Sequence, residues 1–427
     1  MTTTPTFLRP KRLAEFLMVA GHAGQTEVLD RPVVSHFRID NMADARRVLS
    51  RATPDERRRR GATFLDGLEY RSRLPQGMHD RGEAHVYADG LEDTERDSRG
   101  HRNHFPIYVR TYSVVEHVVA AGDVWDVTVG PEEWGVDERE EFYNIVNVGR
   151  LVLGDGASVV VQGNAWTLIC QELTCGAPAA ADYHIGVLGT RHGFGGRRGA
   201  RDGGDGAPGA GGPPGRHGLP PRYGSSLLGR VATAPVDPAA LDGTAGGVGE
   251  PGTNGEAGLN GGACRIAEIT VRALRTEHGM VVGAIAGDGG DGGNGGAGGP
   301  GGAGGDGVAA IRTVDGPVGP GAGGRGGDGG DGGRGGRAGH SGIASNVFVT
   351  VPDDCTSQVR LFARAGRSGT PGRGGPGGRP GPDGLSGAAG PGSPAGRAGS
   401  AGNDGRAGRV MPAAKMYLNS EWLASDA

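Results

Sequence analysis

The stretch GDGGDGGNGGAGGPGGAGGDG at residues 287–307 decides the fold, because glycine fills two of every three positions in it. Its two glycine frames begin with Gly287, Gly289, Gly290, Gly292, Gly293, Gly295 and Gly296. A repeat of three residues matches the polyproline II helix, which has three residues per turn and rises about 3.1 Å per residue. Each frame then forms one face of a rod. A rod with two glycine faces can approach its neighbours closely on two sides.

The same period covers much of the second half of the chain. Residues 321–342 hold a complete glycine frame and part of a second one, and these frames include Gly321, Gly324, Gly326, Gly327, Gly329 and Gly330. Single frames run through 203–218, 243–261 and, except at Ser393, 366–408. We predict that these glycines are packing positions between rods.

Three arrangements of the glycine-rich segments are open. A flexible linker has no reason to keep two glycine frames over seven repeats. A continuous collagen triple helix would not tolerate the apolar segments that split the repeats, and it needs one glycine face rather than two. The pattern therefore favours a bundle of polyproline II rods within one chain.

The segments between the repeats are predicted to be strands. Residues 263–286 and 343–365 each contain two β-branched runs around a turn, and 308–314 reads as one short strand. In 143–173, short strands alternate with Gly-Asp and Gly-Asn turns, which is typical of rungs in a right-handed parallel β-helix and equally of a β-sandwich edge. The expected fold is mainly β, with a β-solenoid-like strand scaffold, a bundle of glycine-rich rods and a small mixed α/β N-terminal region.

We divide the chain into four regions. Residues 1–118, with helices predicted at 12–20 and 42–60, form a mixed cap or docking region, and 119–192 form the strand-rich, solenoid-like region. Residues 193–408 form the glycine-rich bundle. Residues 409–427 form a docking tail, and its predicted contacts with a neighbouring subunit are Met416, Tyr417, Leu418, Trp422 and Leu423.

Bulk composition excludes several classes of protein. A net charge of −4 argues against a general nucleic-acid binder. No apolar run approaches the roughly 20 residues of a membrane span. The short apolar stretch near the N-terminus is interrupted by Glu15, so no convincing signal peptide is predicted. The compartment stays open, with an extracellular surface or a virion favoured. Four cysteines do not form a disulfide framework; Cys170 and Cys175 either pair or stay reduced in the core.

No constellation of residues indicates a catalytic or metal site. Asp288 and Asp291 would lie about 9 Å apart on a rod, too far to share one calcium ion without a third group. His101 and His104 lack a third ligand at a fixed spacing. The acidic cluster at 132–141 is typical of a solvated face. The mixed row of charges around Asp328 is either solvated or sets lateral register between chains. The sequence therefore predicts neither a cofactor nor an enzyme.

Residues 195–408 resemble the glycine-rich, collagen-like proteins of bacteria and phages. Some proteins with such repeats form polyglycine II sandwiches, among them certain phage tail-fibre adhesins and a springtail antifreeze protein. The resemblance rests on the glycine period, which covers about half of the chain. It implies a polyglycine II bundle.

The first functional hypothesis is a structural protein that assembles with its own copies into a fibre, filament, tube or surface layer. The first alternative is an adhesin or receptor-binding module, with a surface glycan, another structural protein or ice as its partner. The second alternative is an enzyme with glycine-rich inserts.

Overall fold

The structure is a computed structural model that describes residues 32–64, 85–89, 105–130, 133, 142–178, 183–189, 202–387 and 395–423. The predicted helix at 12–20 and the two histidines at 101 and 104 lie outside these residues. Within them, the helices are too short and too polar to cross a bilayer.

Within the described ranges, the strands form two sheets and two short hairpins, and they are numbered along the chain. The large sheet is formed by β1 (Val33–Ile39), β2 (Ile107–Val119), β4 (Phe142–Leu153), β6 (Ala165–Cys175), β10 (Ala267–Val271), β11 (Leu274–Thr276), β15 (Val347–Thr350), β17 (Met416–Leu418) and β18 (Glu421–Leu423). The second sheet is formed by β3 (Val124–Asp126), β5 (Ser158–Gln162), β7 (Ile185–Leu188), β12 (Met280–Ile285) and β16 (Val359–Arg364). The hairpins are β8 (Tyr223–Ser226) with β9 (Gly229–Ala232), and β13 (Ile311–Thr313) with β14 (Gly316–Val318).

Both sheets are mostly parallel. The large sheet has the order β1-β2-β4-β6-β10-β15-β17-β18, with β11 also paired to β6, and its two end pairs are antiparallel. The second sheet has the order β16-β12-β7-β5-β3 and is parallel throughout. Because β2 pairs with β4, residues 107–118 belong to the large sheet.

The large sheet is buried on both faces, as expected for parallel strands. Along β4, Val146 and Val148 point into a core shared with Val159 and Val161 of the second sheet. The alternate residue Ile145 points to the other face, where it packs with residues of the helices.

Two helices cover that other face. The helix α1 (Met42–Leu49) begins after Asn41, whose side chain accepts a hydrogen bond from the Asp44 amide. A second helix, α2 (Pro54–Phe64), begins with a capping box in which Thr53 and Glu56 each accept a hydrogen bond from the other's amide. The second cap starts a new helix at Pro54, so the helix predicted over 42–60 is divided in two.

A buried ion pair joins α2 to the large sheet. Arg60 and Glu268 are both about 1 % exposed, and the guanidinium Nη2 lies 3.0 Å from Oε1 of Glu268. The other carboxylate oxygen accepts a hydrogen bond from the Arg51 amide at 2.9 Å. The guanidinium also donates to the hydroxyl of Ser420 and lies 4.1 Å from the ring centre of Phe348. This network fixes the helices on β10, β15 and the β17–β18 turn.

The expectation of a mainly β, solenoid-like scaffold is wrong. The chain forms a mixed α/β fold with a large, mostly parallel sheet and few helices. The prediction failed because strands of a parallel sheet and rungs of a solenoid share short β-branched runs and Gly-Asp turns. The helices that cover the sheet are distant in the sequence, at residues 42–64.

Among the described residues, six glycine-rich segments lie outside the sheets, and we call them rods. They are rod 1 (202–218), rod 2 (243–262), rod 3 (287–307), rod 4 (321–342), rod 5 (366–387) and rod 6 (395–408). Each contains neither helix nor strand. At a polyproline II rise of about 3.1 Å, rod 3 is about 60 Å long. Rods 1 and 2 are joined at their far end by β8–β9, and rods 3 and 4 by β13–β14.

Candidate functional site

The rods are held together by backbone hydrogen bonds that repeat every third residue. The amide of Gly203 in rod 1 donates to the carbonyl of Asp291 in rod 3, and this pairing continues in steps of three to Gly218 and Asp306. Residue numbers rise together, so rods 1 and 3 are parallel. The same relation holds between rods 3 and 5, 2 and 4, and 4 and 6. Rods 1, 3 and 5 thus form an odd row, and rods 2, 4 and 6 form an even row.

The two rows run in opposite directions. The amide of Gly290 in rod 3 donates to Leu259 of rod 2, whereas that of Gly305 donates to Thr244. Rod 3 is hydrogen-bonded to rods 1, 2, 4 and 5. The amides of both glycine frames of rod 3, which a polyproline II helix leaves unpaired internally, are therefore paired with carbonyl groups of neighbouring rods.

The glycines of the interior rods face neighbouring backbones. A Cβ atom on Gly289, Gly292 or Gly295 would overlap carbonyl groups of rod 4, and one on Gly293 or Gly296 would overlap carbonyl groups of rod 1. In rod 4, Gly326 and Gly329 face rod 5 in the same way, while Gly321, Gly324, Gly327 and Gly330 face Leu241 and rod 2. Gly287 and Gly290 are buried, and their amides donate to rod 2.

The variable third position forms a ladder of side-chain hydrogen bonds on the outer face of each row. Asp202 accepts a hydrogen bond from the Asp291 amide at 2.9 Å, and Asp291 in turn accepts one from the Thr370 amide at 2.6 Å. Further acceptors of the same kind are Asp205, His217, Asp242, Asn254, Asn260, Asp288, Asn294, Asp306, Asp328, Asp331 and His340. The aspartates expected to be merely solvated therefore fix the register between rods of one chain.

Proline occurs where the ladder has no acceptor. Rod 5 lies 79 residues beyond rod 3 in this register, so Ala297 and Ala303 lie opposite Pro376 and Pro382. Alanine offers no side-chain acceptor and proline has no N–H. At both positions, therefore, the residue of rod 3 that lacks an acceptor lies opposite a residue of rod 5 that has no amide hydrogen to donate.

Two ladder groups have perturbed pKa values. The hydrogen bond from Thr370 lowers the pKa of Asp291, because it favours the charged carboxylate. Partial burial, followed by the charges of Arg337 and Arg409, lowers the pKa of His340. The Nδ1 atom of His340 accepts a hydrogen bond from the Arg409 amide at 2.9 Å, which requires an unprotonated nitrogen.

Side chains also close the outer edge of rod 1. Thr253 and Thr244 of rod 2 accept hydrogen bonds from the amides of Ala207 and Arg216, both at 2.7 Å. Pro213 has no amide hydrogen, and its ring lies where a Cβ atom of Gly247 would be. A further rod would therefore find few donors at this edge.

The far end of the bundle carries exposed aliphatic residues, and we call this end the tip. Leu227 and Leu228, which are 108 % and 86 % exposed, form the two-residue turn of β8–β9. The second hairpin lies beside it, with the Val314 amide donating to the Arg230 carbonyl at 2.9 Å. Arg222, Arg230 and Arg312 of the tip are exposed. Sequence reasoning missed this tip; the signal was Leu-Leu where such turns usually hold glycine, asparagine or aspartate.

The predicted docking tail mostly packs on its own chain. Met416 and Tyr417 are buried and Leu418 is half-buried, because β17 pairs with β15. Trp422 and Leu423 on the edge strand β18 are exposed. These last two remain available to a neighbour.

Titratable groups elsewhere in the part of the chain that the structure describes form no recognisable reaction centre. Cys170 and Cys175 are free and buried, and burial raises the pKa of each thiol to about 12. Among the described residues, no cluster of three histidine, cysteine or carboxylate side chains could hold a metal ion. A cavity of about 610 Å³ lies between the turns before β12 and β16, and its lining includes His278, Glu277 and Arg360.

Known proteins offer no further guide to the site. The chain matches no protein-family model, no curated protein and no solved structure.

Proposed function

We propose that the protein is an attachment module in which the rod bundle is a stalk and the tip binds an anionic lipid surface. The observation that carries the proposal is the fully exposed Leu227-Leu228 turn at the end of a bundle about 60 Å long. The stalk is supported by hydrogen bonds between rods on every third residue. These hydrogen bonds stiffen the bundle and so keep the tip at a fixed distance from the sheets.

The chemistry of the tip favours lipid over sugar. The most exposed side chains of the tip are aliphatic, whereas Tyr223, the aromatic residue of β8, is half-buried. Sugar sites generally need exposed aromatic faces. Exposed leucines beside exposed arginines instead suit the boundary between acyl chains and anionic headgroups. Arg222, Arg230 and Arg312 supply that positive charge.

Replacing Leu227 and Leu228 together by serine should lower the affinity for anionic vesicles by at least about 100-fold, because each buried leucine contributes about 1.5–3 kcal/mol. The measurement is co-sedimentation with vesicles of phosphatidylcholine containing about 30 % phosphatidylglycerol. The anionic headgroups of phosphatidylglycerol attract the arginines of the tip. Leu259→Ser is the matched control, since Leu259 is also exposed but lies on rod 2 near the sheets. Equal binding by the wild type and the double variant would contradict the proposal.

A self-assembling structural subunit is the second candidate function. The observation that favours it is a pair of oppositely charged faces on the bundle, a basic one on rods 4 and 6 and an acidic one on rods 1 and 3. The enzyme alternative stays a prediction, and no arrangement of residues within the described ranges supports it.

A further inference from the structure

The outer face of the even row is basic near the sheets. Arg334 and Arg337 of rod 4 lie beside Arg406 and Arg409 of rod 6, and all four are exposed. Arg325 is paired with Asp328 at 2.6 Å, but none of these four arginines has a carboxylate within ion-pair distance among the described residues. These four positive charges therefore lie together without a direct ion pair among the described residues.

The outer face of the odd row is acidic at the same level. Asp202 of rod 1 lies beside Asp291 of rod 3. Asp205 is one ladder step further along rod 1, beside Asn294, and Asp288 is one step before Asp291 on rod 3. The amide of Gly336 donates to the carbonyl of Gly293 through the middle of the bundle. The acidic and basic groups thus lie on opposite faces of the bundle, at the same position along the rod axis. Rod 5 carries arginines on this row, so the acidic surface is confined to rods 1 and 3.

The two faces also share one spacing. Successive variable positions on a rod are about 9 Å apart, and rods of each row are related by the same hydrogen-bond register. Each of Asp202, Asp205 and Asp291 has one oxygen fixed by an amide of the next rod. Their charges are therefore held in place before any partner arrives, which lowers the entropy cost of association.

We infer that a second copy of this chain is the partner of these faces, with rods 4 and 6 of one copy over rods 1 and 3 of the next. This inference rests on the second candidate function and names its interface. Arg337 then lies opposite Asp202, Arg406 opposite Asp291, and Arg334 opposite Asp205. The two contact surfaces differ, so the interface is heterologous and its repetition produces a linear stack.

Size-exclusion chromatography followed by light scattering tests the inference, because it measures the mass of the species in solution. The wild type should form stacks at about 20 mM salt that dissociate at about 0.5 M, because the attraction is screened. A basic-face variant, Arg337→Gln with Arg406→Gln, should be monomeric. So should an acidic-face variant, Asp202→Asn with Asp291→Asn. Asparagine at both positions can still accept the ladder hydrogen bonds, as Asn294 does.

Mixing the two variants gives the sharper result. Each retains the face that the other lacks, so an equimolar mixture should contain one-to-one dimers and no longer species. A wild type that is monomeric at low salt overturns the inference, and so does a mixture that stays monomeric. The Leu227→Ser, Leu228→Ser variant should stack like the wild type. Failure of tip binding is therefore distinguishable from failure of stacking.

Discussion

Replacing Gly295 or Gly296 by alanine lowers the melting temperature and the free energy of unfolding. A Cβ atom at Gly295 overlaps the carbonyl of Gly333, and one at Gly296 overlaps the carbonyl of Ala207. Both obstacles are backbone atoms of hydrogen-bonded rods, so they cannot move aside as a flexible side chain could. Overpacking of this kind costs about 1–3 kcal/mol and occasionally more. Thermal and denaturant melts of each variant measure the loss.

Gly211→Ala is the matched control within the same bundle. A Cβ atom there meets Pro300 at ordinary contact distances of 3.4–3.8 Å. This variant should be neutral or gain up to about 1 kcal/mol, because alanine restricts the unfolded chain. A flexible linker predicts no effect from any of the three changes, and a collagen strand predicts a loss in one frame. Unchanged melts at both Gly295 and Gly296 would therefore refute the bundle.

Glu268→Ala should be the most damaging single change in the sheet region. It leaves the guanidinium of Arg60 buried without its carboxylate and the Arg51 amide without its acceptor. Removing one partner of a buried ion pair costs about 3–5 kcal/mol. Denaturant titration followed by circular dichroism measures the loss.

Two comparisons isolate the cause of that loss. Glu172→Ala removes a partly exposed carboxylate that pairs with Arg150 and Arg275, so it should cost about 1 kcal/mol or less. Replacing the whole pair, Arg60→Met with Glu268→Leu, should recover much of the stability, because no unpaired charge then remains buried. A Glu268→Ala variant as stable as Glu172→Ala would show that the buried pair does not hold the helices.

The glycine period and the strand pattern differ in how much they say about structure. Glycine in two frames has a direct steric meaning, and the overlaps at Gly295 and Gly296 follow that meaning. The fold class depended on how the short strands pair. Buried valines such as Val146 and Val159 are expected both in a solenoid and in a parallel sheet, so they do not distinguish the two. Local pattern does not encode that the helices at 42–64 pack on one face of this sheet.

The roles of individual polar and apolar residues were the least predictable. Asp291 accepts an amide hydrogen bond from a residue 79 positions away, and such a pairing becomes visible when the rods are aligned. Tyr417 follows the last rod like a docking residue, yet it is fully buried on β15. Leu227 was overlooked because segment 219–242 lacks a regular pattern, although a leucine pair in a turn is itself unusual.

Hydrogen–deuterium exchange of the amides in residues 287–307 tests the bundle most directly. The amides of both glycine frames should exchange slowly, since they donate to rods 2 and 5. At the variable positions, Asp291 and Asn294 should also be protected by Asp202 and Asp205. Ala297, opposite Pro208 in the same register, should exchange faster. Uniform exchange at the rate of an unstructured chain would contradict the bundle.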